Sequence, residues 1–214
     1  MPTLKVAVAF DAGYDDPTLE LAAYRNEKVY PALRAKGFSL SQIQAIHLQN
    51  AIVAAVTDRA GNVEVDLITG SGHGLPESFH GWADGTIWAV SGNLPKGAKV
   101  IHLFACSTGE KLGPALLERE RCKAFFGYNQ VITVGLGTEV LEDVLECDGD
   151  IDRLLAEGKT AGEVFDTVKK KLDDRIVQLK NEREAVDVSV LELMRDALTM
   201  VGDRTASLGG TGTP

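Results

Sequence analysis

Apolar residues in this chain fall into short continuous runs separated by stretches of helical period, and that alternation sets the expected fold. Residues 6–10 form one such run, closed by Asp11-Ala12-Gly13, as in a buried strand that leaves a sheet through a turn. From Pro17, the positions Leu19, Leu21, Ala22, Val29, Tyr30 and Leu33 recur near every 3.6 residues until Lys36-Gly37, which predicts a helix. Ser39 or Ser41 is then placed to cap a second helix carrying Ile43, Ile46, Ala51, Ile52, Ala55 and Val56, stopped by the turn-rich residues 58–62. Residues 63–69 predict the next strand. It runs into Gly70-Ser71-Gly72-His73-Gly74, whose alternating glycines allow a backbone path that side chains would obstruct.

Residues 100–105 are a further apolar strand, interrupted by His102, that delivers Cys106 to its carboxyl end. A helix begins at residues 112–117, residues 124–128 and 131–135 supply one or two more strands, and the chain to about residue 202 reads as mostly helical. Val164, Val168, Leu172, Ile176 and Leu179 give that region one apolar stripe. Strands alternating with helices predict an α/β fold, a mostly parallel central sheet with helices on both faces, where sites form beyond the carboxyl ends of the strands. His73 and Cys106 both fall there. Residues 1–207 are expected to form one domain and the Gly- and Thr-rich residues 208–214 a flexible tail.

Composition narrows the function classes. With 22 Lys and Arg against 31 Asp and Glu, the 214-residue chain carries a formal charge of -9, which disfavours a broad grip on phosphate backbones, so no nucleic-acid partner is expected. No run of about 18 apolar residues is present and the first residues lack the order of a secretory signal, so a cytoplasmic protein with no membrane partner is expected. Cys106, Cys122 and Cys147 lack metal-ligand spacing, and neither a metal nor a cofactor is expected.

A thiolate is a strong nucleophile, and a neighbouring imidazole can accept its proton or hold it as an ion pair. His73 and Cys106, 33 positions apart on successive strand ends, suit those roles, with the backbone N–H groups of Gly74 and Cys106 placed to face an oxyanion. The competing reading makes Cys106 a buried inert thiol and His73 a loop histidine satisfied by backbone.

In their order and contexts these segments resemble the caspase-like (clan CD) cysteine peptidases, in the style of bacterial gingipain-like and CHAT-like members. The strand of residues 65–69 running into a His-Gly at 73–74 and the strand of residues 100–104 ending in Ala105-Cys106 carry the resemblance. Lys111-Leu112-Gly113, Ala124-Phe125-Phe126-Gly127-Tyr128, Gly158-Lys159-Thr160-Ala161-Gly162 and Val201-Gly202-Asp203-Arg204-Thr205 extend it over residues 4–207. The resemblance implies a caspase-like three-layer sandwich, a His73/Cys106 dyad and peptide-bond hydrolysis through an acyl-enzyme. It further implies a protein or peptide substrate, and it allows for an activating protein partner and for pairing of copies through an edge strand. A catalytically silent, partner-binding module of the same fold is the alternative.

The chain departs from the caspase signature QACRG, with Phe104 where caspases carry a polar residue lining the S1 pocket. Phe104 facing the pocket would favour an apolar P1 residue, whereas Asp11, Asp15 or Asp16 could supply a carboxylate for Lys or Arg. Other motifs are incomplete: Leu75 stands where GxGxxG needs glycine, and Arg153 interrupts both a P-loop reading of Gly158-Lys159-Thr160 and a calcium-loop reading of Asp148-Gly149-Asp150-Ile151-Asp152. That acidic stretch is expected as a loop at a helix amino terminus, within a candidate activation or specificity loop at residues 135–153. His47, His80 and His102 read as surface or satisfied core residues, Lys169-Lys170-Lys171 as a solvated face, and Trp82 and Trp88 as either core or cleft wall.

Overall fold

The computed structural model describes residues 5–44, 65–92, 94–95, 97–120, 122–132, 140–182 and 184–208. The apolar run at the amino terminus is strand β1 (Lys5–Asp11), followed by helix α1 (Asp16–Tyr24), a π-helical turn (Arg25–Val29) and helix α2 (Tyr30–Ala35). The π turn has a local cause. Pro31 has no N–H to donate and its ring would press on the carbonyl four residues earlier, so the helix widens and the Tyr30 N–H bonds to the Arg25 carbonyl.

Strands β2 (Phe38–Gln44) and β3 (Val65–Ser71) come next, then the short β4 (His73–Leu75), β5 (Ser78–His80) and β6 (Thr86–Ala89), and strand β7 (Ala98–Phe104). Helix α3 (Leu112–Glu120), strand β8 (Ala124–Tyr128), helices α4 (Val140–Ala156), α5 (Ala161–Glu182) and α6 (Ala185–Ala197), and strand β9 (Leu198–Gly202) complete the described chain. The central sheet has the order β2-β1-β3-β7-β8-β9, with every pair parallel except β8–β9, while β4, β5 and β6 form a separate antiparallel sheet. This is an α/β fold with a mostly parallel six-stranded sheet.

Side chains alternate between two cores. Ala7, Ala9, Val100, Phe126 and Tyr128 face α1, α2, α4, α5 and α6, and the Val164–Leu179 stripe is buried there. Val8, Phe10, Ile101, Leu103 and Phe125 face α3 and the small sheet, where Trp88 packs edge-on to Phe10 at 5.3 Å. Two of the later segments in the resemblance meet: the Gly162 N–H donates to the Arg204 carbonyl and the Ala161 N–H to that of Ala206, both at 2.8 Å.

Four expectations are corrected. Residues 38–44 form a strand rather than a helix start, because Phe38-Ser39-Leu40-Ser41 alternates with period two and its apolar positions point inward beside β1; the remainder of the expected helix, with His47, lies outside the described residues. Residues 198–202 form β9 and not a helix end. Asp148 to Asp152 lie inside α4, so residues 140–153 are not a loop; residues 133–139, including much of the second strand candidate, lie outside the described residues. Leu208 is buried in the main core, which extends the packed unit by one residue beyond 207, and residues 209–214 lie outside the described residues.

The acidic stretch has a different purpose from the one expected. Arg25, 1% exposed, reaches from the π turn under the sheet to Asp11 (3.2 Å), Asp148 (3.4 Å) and Asp152 (3.0 Å), and also donates to Tyr30 and Thr69. His102 on β7 is held through Nδ1 by Asp152 and through Nε2 by Asp148, each at 3.0 Å. Tyr128 donates to Asp148 at 2.9 Å, Thr69 to Asp152 at 2.7 Å, Ser71 to Asp11 at 2.7 Å and Tyr30 to Asp11. No buried side-chain nitrogen or oxygen among the described residues lacks a partner, which is the condition for burying such charges at all.

Burial alone would push the His102 pKa down, but the carboxylates of Asp148 and Asp152 outweigh it and raise it from 6.5 to about 9. Burial likewise acts to raise Asp152, yet His102, Arg25 and Thr69 hold its carboxyl below the ordinary value. The folded chain therefore binds the His102 proton more tightly than the unfolded chain, so that stabilisation is complete below about pH 6.5 and is lost as pH rises through about 9. We expect stability in urea to fall between pH 6.5 and 9.5 by an amount on the order of a few kcal/mol, and His102→Gln to flatten that slope. An equal slope in both proteins would show that another group titrates.

Candidate active site

The parallel register aligns the carboxyl ends of β3 and β7, pairing Ser71 with Phe104. Beyond that line the chains cross closely: the Gly72 N–H donates to the Phe104 carbonyl at 3.2 Å. His73 then opens β4, paired antiparallel with His80 of β5. Cys106 lies two residues past β7, and Ser107 after it is held at φ +56°, a left-handed conformation uncommon outside glycine that turns the chain sharply beside the thiol. The Ser107 N–H donates to the Gln130 carbonyl at 3.1 Å and the Thr108 hydroxyl to the Ala105 carbonyl at 3.0 Å, which fixes that turn.

Gly74 is required by space rather than by φ. A Cβ there would lie 2.2 Å from the Cys106 carbonyl oxygen and 2.8 Å from Thr108 Cγ2, so the backbones of the two expected oxyanion-hole residues run side by side only because Gly74 has no side chain. At Gly72 a Cβ would meet the His80 carbonyl at 2.5 Å. The glycine alternation read from sequence is thus a close approach of three chain segments.

His73 and Cys106 line one cavity of about 260 Å³, together with residues of α1, Phe104 and Ile132. The Ile132 N–H points at Cys106 Sγ from 3.4 Å. Among the three cysteines Cys106 is the partly exposed one, whereas burial pushes the Cys122 and Cys147 thiols each up to about 12. A second concavity lies across His73 and Gly74, lined by Leu75 and His80.

Asp15, one of three carboxylates that the sequence offered for a basic P1 residue, is found against His73. Its Oδ2 lies 2.7 Å from His73 Nε2, while Oδ1 accepts the Thr18 N–H at 3.2 Å as the N-cap of α1. Burial works to raise its pKa, but hydrogen bonds from Thr18 and then His73 hold it below the usual carboxylate value. The carboxylate therefore orients an imidazole rather than waiting for a basic substrate. Asp15-Asp16-Pro17-Thr18 carries a helix-start signal that could have revealed the cap. Nothing local in it shows the histidine 58 positions away.

Asp11 is also corrected. It is completely buried against Arg25, Tyr30 and Ser71 and cannot meet a substrate; burial raises its carboxyl even against those partners. Phe104 does line the cavity, its ring edge-on to Tyr128 at 5.2 Å. Trp88 is core, whereas Trp82 packs on Tyr14, whose ring packs on His73 at 5.7 Å. His102 is a satisfied core residue, and His80 lies 2.7 Å from the Ser78 hydroxyl. The lysine run is in part the solvated face expected, with Lys170 exposed and paired along the helix with Asp174, while the half-buried Lys169 bonds to the Arg195 carbonyl and Lys171 pairs with Glu146 and Asp150. No group of His, Cys, Asp or Glu among the described residues is arranged to hold a metal ion, and no described helix is long and apolar enough to cross a membrane.

No family model and no curated protein matches the chain. Exposure alone separates Cys106 from the two buried thiols. Brief treatment of the folded protein with iodoacetamide is expected to add one carboxamidomethyl group, at Cys106, with Cys122 and Cys147 labelled only after denaturation. Peptide mapping that found all three modified at similar rates would contradict this placement.

Proposed function

We propose that the chain is a cysteine peptidase of caspase-like architecture that cleaves protein or peptide substrates with Cys106 and His73. The observation that carries the reading is the convergence of His73, oriented by Asp15, and the partly exposed Cys106 on a single cavity at the ends of adjacent parallel strands. The order of the segments, the mostly parallel sheet and the helices on its faces support the same family reading.

In the proposed reaction the Cys106 thiolate attacks the scissile carbonyl carbon, forming the S–C bond while the carbonyl oxygen takes the negative charge. The backbone N–H groups of Gly74 and Cys106 are assigned to that oxyanion. With Nε2 held by Asp15, proton exchange falls to Nδ1 of His73, which gives its proton to the leaving amine as the C–N bond breaks. Water then attacks the thioester, His73 takes a proton from it, and as the C–S bond breaks the carboxylic product leaves with the Cys106 thiolate and the protonated His73 regenerated. Asp15 keeps the ring oriented through the two proton transfers, as a carboxylate does in other nucleophile–histidine systems.

Incubation with a proteome-derived peptide library, read by mass spectrometry, is the test. Cys106→Ala is expected to abolish cleavage and His73→Ala to lower it by about 10²–10⁴-fold. Asp15→Asn, which preserves the helix cap, is expected to lower kcat at least about tenfold with little change in KM. Cleavage surviving Cys106→Ala would reject the nucleophile, and a wild type without cleavage or acyl-enzyme formation would favour a partner-binding module.

A further inference from the structure

Resting on the peptidase reading, we infer that the 260 Å³ cavity beside Cys106 is the S1 pocket and selects an uncharged, apolar P1 side chain such as leucine, methionine or phenylalanine. Its walls are Pro17, Thr18 and Leu21 of α1, Phe104 and Ala105 at the end of β7, and Ile132. Apart from the His73/Cys106 pair, no ionisable side chain among the described residues lines it. Thr18, the only hydroxyl among the described residues that line it, is spent locally: it donates to the Asp15 carbonyl at 3.2 Å and accepts the Tyr14 N–H at 3.1 Å.

Of the three carboxylates near enough in sequence to serve a basic P1 residue, Asp16 is exposed at the start of α1 and does not line the cavity, and the other two are committed elsewhere. Asp11 is buried on Arg25, and Asp15 is shared between Thr18 and His73. For an acidic P1 residue the nearby cation would be Arg25, which lies below the sheet among three carboxylates and does not line the cavity. A charged side chain entering this pocket would leave water without a counter-charge, whereas an apolar one would exchange water for the Phe104 ring, Leu21 and Ile132. The Phe104 ring is held by Tyr128 and the Leu21 side chain by the main core, so the pocket is preformed.

Two readouts separate this assignment from the reading beneath it. Fluorogenic peptides differing only at P1 are expected to give kcat/KM values at least about 100-fold higher for Leu, Met or Phe than for Asp, Lys or Arg. Peptide aldehydes with the same P1 series, which add reversibly to a thiolate without turnover, are expected to bind wild type in the same order, measured by thermal shift. Pro17→Glu, a change suited to the first turn of a helix, is expected to raise Lys or Arg relative to Leu at least tenfold. Cys106-dependent cleavage or aldehyde binding that prefers Asp, Lys or Arg would overturn the pocket assignment and leave the peptidase standing. Absence of both turnover and aldehyde binding would overturn both.

Discussion

Five ionisable side chains, two cationic and three acidic, meet beneath the central sheet, and most of the geometry described above depends on their being matched. Arg25 and His102 supply the positive groups, Asp11, Asp148 and Asp152 the negative ones, and Thr69, Ser71, Tyr30 and Tyr128 complete the hydrogen bonds. These residues come from β1, the π turn, α2, β3, β7, β8 and α4. Removing one charge from such a set strands the others in a low-dielectric interior, typically with a loss of about 3–5 kcal/mol. The cluster therefore fixes which elements adjoin, rather than merely adding to an already determined packing.

The site inherits its geometry from that cluster. Ser71, bonded to Asp11, is the last residue of β3 before the Gly72-His73-Gly74 crossing, and Arg25 anchors the helical segment whose N-cap is Asp15 and whose first two turns carry Thr18 and Leu21. Asp15 then acts at once as N-cap and as partner of His73, so the start of the helix and the orientation of the imidazole are one constraint. Gly74 and Ser107 close the arrangement from the other side, one by lacking a Cβ and the other by accepting a left-handed backbone.

Much of this was legible in the sequence because it is local. Continuous apolar runs marked β1, β3, β7 and β8, the 3.6-residue stripe marked α5, and the strand ends carrying His73 and Cys106 followed from them. Failures arose where local pattern was ambiguous or the partner distant. Phe38-Ser39-Leu40-Ser41 carried a period of two that the apparent serine caps obscured, and β9 is only five residues long and follows a helix directly. The aspartates at 148 and 152 resembled a polar loop because their counter-charges lie 46 to 127 positions away. The same separation hid Asp15 as the partner of His73, since no short motif links a cap on the first helix to a hairpin beyond the third strand.

The placement of Asp148 and Asp152 one helical turn apart on α4 bears on how the chain assembles. Before α4 docks, the inner face of the half-built sheet presents Arg25 and His102 with only Asp11 to balance them, and a greasy helix alone would not settle there. The aspartates that make α4 unfit for any other apolar surface are what make it fit this one. Docking of α4 should thus be all-or-none, with intermediates lacking it hydrated beneath the sheet, and the last third of the chain becomes a requirement for the first third to close over its own charge.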